Sequence, residues 1–406
     1  MEPCAAAPFG NDRVTPEVGG VSMIWRCALL YVAALSCLIA CDRAPRSAAW
    51  VDDVAARKID HVFAAYNHRG SPGFAVGLIH NGDLVFARGY GDSNLDDRIP
   101  ITPHTSFHLA SLSKQFTAAA VALLILDHRL SMEDRVARYV PETGKYGSAL
   151  RVKDLVYMTS GLHEYFETPR KSGDPWFSAY YFTRDEAIAS ALAPDRLLFK
   201  PGTRYDYSNT NFMLLTRIVE RISGQPFAEF MQDRIFKPLE MNETEVNDDS
   251  TAVIPNRAFG YAPRDKRTIE QLRSVGIFAR PGPGWILLAR NSPHFGGSGV
   301  FSNLIDLAKW DANWYTGRLD GQAFTDIMNR RLGFGFGTMD GMGLGFHSRY
   351  GQPTINYSGA DLDASTFMER FPKERFTIVC LSNDPLGDAE GKAVEVLAIL
   401  HQAGRI

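Results

Sequence analysis

The sequence predicts an α+β fold: an antiparallel β-sheet flanked by helices, built from both chain ends, with an all-helical lobe inserted between them. Three observations carry this. Strand-like runs lie near the start and again near the end of the chain. Apolar periods between about 112 and 290 are mostly helical, and the last stretch is a helix. At 406 residues, with 45% hydrophobic and 22% charged residues, the chain has the composition of a globular protein with a sizeable core. A net charge of −3 and the lack of long Lys/Arg runs exclude a nucleic-acid binder.

The first 41 residues read as a leader and signal peptide. Arg26 precedes an apolar stretch from Ala28 to Ile39, and Met23 is the expected start. Leu38-Ile39-Ala40-Cys41 resembles a bacterial lipobox, which implies lipidation of Cys41 and an exported, periplasmic, membrane-anchored lipoprotein. Of the five cysteines, only Cys41 and Cys380 remain after cleavage, so an intrachain disulfide is not expected. Residues 42–70 read as a linker and an amphipathic N-terminal helix, with Val51, Val54, Ile59, Val62 and Phe63 on the apolar face. One domain then fills 71–406.

Gly73 to His80 and Asp83 to Arg88 flank Asn81-Gly82, the pattern of a two-residue β-hairpin. A polar loop with Pro100 and Pro103 leads to Ser111-Leu112-Ser113-Lys114. Ser-x-x-Lys places a hydroxyl and an amine on one helix face. Burial lowers the proton affinity of an amine, which can then take the serine proton; at a helix start the Ser111 N–H is also a spare donor for an oxyanion. The run Ala118 to Leu126 is apolar all round, so the helix is buried, yet it is too short to span a bilayer. Helices are expected over Thr183–Ala193, Asn211–Ile222, Pro226–Ile235, Asn303–Trp310 and Ala389–Gln402. Strands are expected over Met342–Ser348, Thr354–Tyr357, Ala364–Phe371 and Arg375–Leu381.

Tyr207-Ser208-Asn209 puts a phenol and a carboxamide on the same side of an extended segment. The phenol can share proton shuttling, and the amide can hold the lysine or a substrate carbonyl. A Gly-x-Ser-x-Gly elbow fails: Gly296-Gly297-Ser298-Gly299-Val300 lacks the last glycine and reads as a backbone turn. No Cys-x-x-Cys or His-Glu-x-x-His pattern occurs, so no metal site or cofactor is implied.

Together these stretches resemble the serine β-lactamase and penicillin-binding protein superfamily, in its class C-like branch of D-alanyl-D-alanine peptidases, D-aminopeptidases and family VIII-type esterases. The resemblance also rests on Thr159-Ser160-Gly161-Leu162, Pro201-Gly202-Thr203, Phe236 to Met241, and Gly296 to Ser302 before Asp306-Leu307-Ala308. It implies Ser111 as the acylated nucleophile, Lys114 and Tyr207 as the acid–base pair, and Asn209 as a substrate-binding residue. Where the family carries Lys-Thr-Gly or His-x-Gly, this chain reads Tyr357-Ser358-Gly359. By resemblance Tyr357 and Gly359 border the substrate and the Ala360 N–H is the second oxyanion donor. Tyr357 cannot pair with a substrate carboxylate as a cation does. The reading is a serine hydrolase of small esters, amides or peptides. The alternative is a non-turnover penicillin-binding or sensor module.

Overall fold

The computed structural model describes residues 50–406 apart from 147–148, 175, 177–180, 289–294 and 334–340. The leader, the lipobox and Cys41 lie outside the described residues. Among the described residues no helix is long and apolar enough to cross a membrane.

Helix α1 (Asp53–Val62) starts where the Asp52 side chain accepts the Ala55 N–H, and it buries Ile59. Strands β1 (Phe74–His80) and β2 (Asp83–Tyr90) form the expected hairpin; Asn81 and Gly82 have φ of 55° and 88°, as a type I′ turn requires. After the short strand β3 (Phe107–His108) comes α2 (Lys114–Leu126), buried from Lys114 through Leu124. Helix α3 (Asn209–Ser223) ends at the left-handed Gly224. Strand β4 (Val300–Ser302) pairs with β3 and is followed by α4 (Leu304–Thr316), capped by Asn303. Strands β5 (Gly345–Arg349), β6 (Gln352–Asp361), β7 (Ala364–Phe371) and β8 (Phe376–Ser382) lead to the closing helix α5 (Ala389–Gln402).

The main sheet has the order β5-β6-β7-β8-β1-β2, and all its pairs are antiparallel. Strand β1 lies between β2 and β8, so the two chain ends meet in the sheet as expected. Its alternating residues feed two cores. Phe74, Val76 and Leu78 pack with Ile59, Phe63 and the buried face of α5, whereas Ala75 and Ile79 join the larger core around α2. In that larger core Phe116 stacks near Trp310, whose indole N–H donates to Gln115 Oε1 at 2.6 Å.

The inserted lobe is not all helical. Glu245–Val246 pairs with β4, and Gly260–Pro263 pairs with Trp285–Leu288. These strands are two to four residues long, too short for alternation to show. Pairing with partners further along the chain makes them strands: Glu245 lies opposite Phe301, and Gly260 opposite Leu288.

Candidate active site

Ser111 sits in a tight 3₁₀ turn, Ala110–Ser113, that runs directly into α2; the α-helix proper starts at Lys114, three residues later than the motif suggests. Ala110 is held in the left-handed region with φ of 49°. That conformation costs an alanine about 1 kcal/mol or more, so the surroundings must enforce it. They do so through Leu109, whose N–H donates to Val300 O at 2.9 Å and whose carbonyl accepts from Thr366 Oγ1 at 2.8 Å.

The Lys114 side chain is fully buried, and its Nζ lies 3.1 Å from Ser111 Oγ, 2.7 Å from Asn209 Oδ1 and 2.6 Å from the Gly297 carbonyl. The last two oxygens are acceptors only. A neutral amine has two N–H bonds and one lone pair. As an ammonium, Lys114 donates to all three oxygens; in the neutral form, with both N–H groups given to Asn209 and Gly297, the lone pair is left for the Ser111 hydroxyl. The turn at Gly296 to Gly299 is therefore a backbone turn, as read from the sequence, and also a wall of the site. Gly296 O accepts from Thr117 Oγ1 at 2.7 Å, which fixes the neighbouring carbonyl.

Tyr207 Oη is 2.6 Å from Ser111 Oγ. Its loop is anchored by Gly202 N–H to Thr159 O and Asp206 N–H to Met158 O, both at 2.9 Å. Ser208 is extended and caps α3, and Asn209 is the helix's first residue, which aims its amide back at Lys114. Tyr207 keeps 37% of its surface exposed. Desolvation still pushes its phenol up to about 12; the Glu164 and Asp361 charges add to this, and the Ser111 hydrogen bond opposes it. Near neutral pH Tyr207 is a proton donor, not a phenolate.

Gly359 lies on β6 directly behind the nucleophile turn. A Cβ there would meet the Leu109 carbonyl and Thr366 Oγ1 at 2.4 Å. Ala360 and Asp361 follow it into a cleft of 310 Å³ lined also by Ser111, Tyr207, Asn209, Gly297 and the aromatic residues Tyr165, Phe166 and Phe295. That size suits a small organic substrate. Tyr357 lies elsewhere. It shares the inward face of β6 with Gly359, is 2% exposed, and does not line the cleft. Its hydroxyl has no hydrogen-bond partner among the described residues, and burial holds its phenol far above its ordinary range.

Three features escaped the sequence reading. The Gly297 carbonyl is backbone, which no residue type announces. His108 pairs with Asp363 at 2.7 Å, and its Nε2 accepts the Gly299 N–H at 3.3 Å; the proton therefore sits on Nδ1, and the ring braces the Gly296–Gly299 turn against the β6–β7 connection. The third is Glu164, just past Ser160-Gly161-Leu162. It is buried, accepts the Asn209 N–H at 2.6 Å and the Thr210 N–H at 3.2 Å, and so caps α3. Burial pushes its carboxyl up to about 7, against the pull of these backbone donors and the Lys114 charge. An acidic residue directly before Tyr165-Phe166, in the stretch after Ser160-Gly161-Leu162, was the available signal. Among the described residues no cluster of side chains suits a metal ion.

Comparison with known proteins bears on the family and the fold. The D-aminopeptidase of Gluconobacter oxydans (strain 621H) is 32% identical over 190 residues, 47% of this chain and 35% of that protein. Penicillin-binding protein 4* of Bacillus subtilis (strain 168) is 33% identical over 189 residues, 44% of this chain and 40% of that protein. The matches thus span well under half of the length of these relatives. Among solved structures, the octameric penicillin-binding protein homologue from Pyrococcus abyssi superposes with a TM-score of 0.71 at 24% identity, covering 87% of this chain and 78% of the other. The D-amino acid amidase from Ochrobactrum anthropi SV3, complexed with D-phenylalanine, gives 0.70 at 21% identity, covering 86% and 99%. These two share the fold. The family model described as Beta-lactamase matches residues 59–402, nearly the whole described chain, and this protein therefore belongs to the Beta-lactamase family.

Proposed function

We propose that this protein is a serine hydrolase that cleaves a small ester or amide through an acyl-enzyme on Ser111. One observation carries the reading: the Asn209 and Gly297 oxygens hold Lys114 Nζ 3.1 Å from Ser111 Oγ, so that the amine, once neutral, keeps its lone pair for the serine proton. In the first step the Ser111 proton passes to Lys114 as Oγ bonds to the substrate carbonyl carbon. The carbonyl π electrons move to oxygen, beside the N–H groups of Ser111 and Ala360. Tyr207, a neutral phenol in contact with Oγ, relays the proton to the leaving group as the tetrahedral species collapses. Water then repeats the sequence on the ester. The names of the relatives, a D-aminopeptidase and a D-amino acid amidase, support an amide of a D-amino acid within this class. Among the described residues the cleft lining includes Asp361 and no Lys or Arg, which supports neutral substrates over carboxylate-bearing ones.

Intact-mass analysis after exposure to a fluorophosphonate, a penicillin and a D-amino acid ester tests the reading. An adduct on Ser111 is expected, lost in Ser111→Ala together with roughly three or more orders of magnitude in turnover. Undiminished turnover in that variant sinks the mechanism. The missing cation also favours a second reading, a non-turnover binding module; for it, the adduct with the ester persists instead of clearing. We further propose that the chain is exported and anchored through Cys41, which incorporation of a labelled fatty acid, lost in Cys41→Ala, tests.

A further inference from the structure

Glu164 is a buried ionisable side chain that the acylation chemistry does not use. It lies behind the site, on the segment that follows Ser160-Gly161-Leu162, and both its carboxylate oxygens face the head of the 15-residue helix α3. Oε2 takes the Asn209 N–H at 2.6 Å, and Oε1 takes the Thr210 N–H at 3.2 Å and lies 3.4 Å from Thr210 Oγ1. The first of these residues is the one whose carboxamide holds Lys114 at 2.7 Å. A continuous path thus runs from Glu164 through Asn209 to the amine. A neutral asparagine or serine would cap the helix at far smaller desolvation cost. A carboxylate at this depth has another use.

We propose that Glu164 is a positioning residue for Lys114 whose ionised carboxylate stabilises the ammonium formed when Lys114 takes the Ser111 proton. This rests on the acyl-enzyme reading. Glu164 exchanges no proton with the substrate. The Oγ–H bond breaks, the Nζ–H bond forms, and the new positive charge appears in a buried site where an opposite charge acts strongly. The titratable groups electrostatically coupled to Glu164 are Lys114 on α2, which favours its ionised form, and Tyr207 on the loop before α3, whose ionisation it opposes. The helix head adds fixed partial positive charge to the carboxylate side, which keeps the ionised form accessible.

Steady-state hydrolysis of a neutral ester, p-nitrophenyl acetate, from pH 5 to 9 tests this. In the wild type kcat/KM should rise with pH and level off above about 7, the range in which burial places Glu164. Glu164→Gln should lower kcat roughly tenfold to a hundredfold, as expected for loss of a charged partner. Its KM should change less than threefold and its break near neutrality should vanish. Glu164→Asp should keep the break. A rate loss in Glu164→Gln with the break unmoved assigns Glu164 a purely structural role and overturns the proposal, as does a wild-type rate. A second measurement does not need that variant to fold. The Glu164 carboxyl carbon, followed by NMR, should titrate at the kinetic break and move to higher pH in Lys114→Met, because the Lys114 charge lowers it; an unmoved midpoint overturns the proposal. Fluorophosphonate labelling of Ser111 separates the two readings. If it persists while these results fail, only the role of Glu164 is lost.

Discussion

Gly359 and Leu109 are in backbone contact: a Cβ on Gly359 would stand 2.4 Å from the Leu109 carbonyl oxygen. Strand β6 can lie this close to the nucleophile turn because the residue between them has no side chain. Gly359→Ala should therefore force the strand away from Ser111. A loss of about 1–3 kcal/mol is expected from overpacking, with turnover falling further under the proposed mechanism, in which the Ala360 N–H serves the oxyanion. Chemical denaturation with parallel kinetics checks this; a variant with wild-type rate and stability contradicts the contact.

Asn209 holds Lys114 by one charge-compatible hydrogen bond inside a buried site. Asn209→Ala should reduce kcat roughly tenfold to a hundredfold while leaving Ser111 open to a fluorophosphonate. Asn209→Asp tests the direction of the bond: a carboxylate accepts as well as the amide oxygen does, but it holds the amine protonated. Single-turnover acylation should be slow in both variants. Fast acylation in Asn209→Asp would show that orientation of Lys114 outweighs its charge state.

Substrate preference is the third test. Of a matched neutral and carboxylate-bearing ester pair, the neutral member should have the higher kcat/KM, by roughly tenfold or more. Tyr357→Phe should leave that ratio within about threefold, because the hydroxyl is buried away from the cleft. A strong preference for the anionic ester would show that another cation serves the site, and a changed ratio in Tyr357→Phe would show that the hydroxyl reaches the substrate.

The fourth test concerns stability and pH. Glu164 is raised from 4.5 to about 7 by burial, so the folded chain binds this proton more tightly than the unfolded chain. The associated stabilisation is complete below the unfolded value, falls as pH rises, and is lost above about 7; it amounts to at most roughly 3 kcal/mol. Glu164→Gln should lose less stability than the wild type between pH 4.5 and 7.5. Urea melts at the two pH values measure the difference, and equal losses would remove the folded-state shift.

The candidate site was legible where chemistry resides in side chains at short spacing. Ser111 and Lys114 are three residues apart, and the apolar run behind them announces burial. The β1–β2 hairpin was legible because Asn81-Gly82 has few other uses. Helix α5 and strand β7 match their predicted bounds, since each has a clean start and stop. What escaped was made by contacts between distant segments. The Gly297 carbonyl reaches Lys114 across 183 residues, and Glu164 reaches Asn209 across 45. The burial of Tyr357 depends on which face of β6 meets the nucleophile turn, which the strand's sequence does not state.

The meeting of the two chain ends in one sheet has a consequence for the order of events in the cell. Gly73 and Ser382 are hydrogen-bonded across 309 residues, and β1 finds its second neighbour only when β8 has been made. Strand β6, which carries Gly359 and Ala360, is held in place by that same late-arriving half of the sheet. A ribosome that has finished Ser111, Lys114, Tyr207 and Asn209 has therefore made these four side chains but not the strand that closes the cleft beside them. The cleft is complete only when almost the last residue has been translated. Contacts of such long range also make assembly slow.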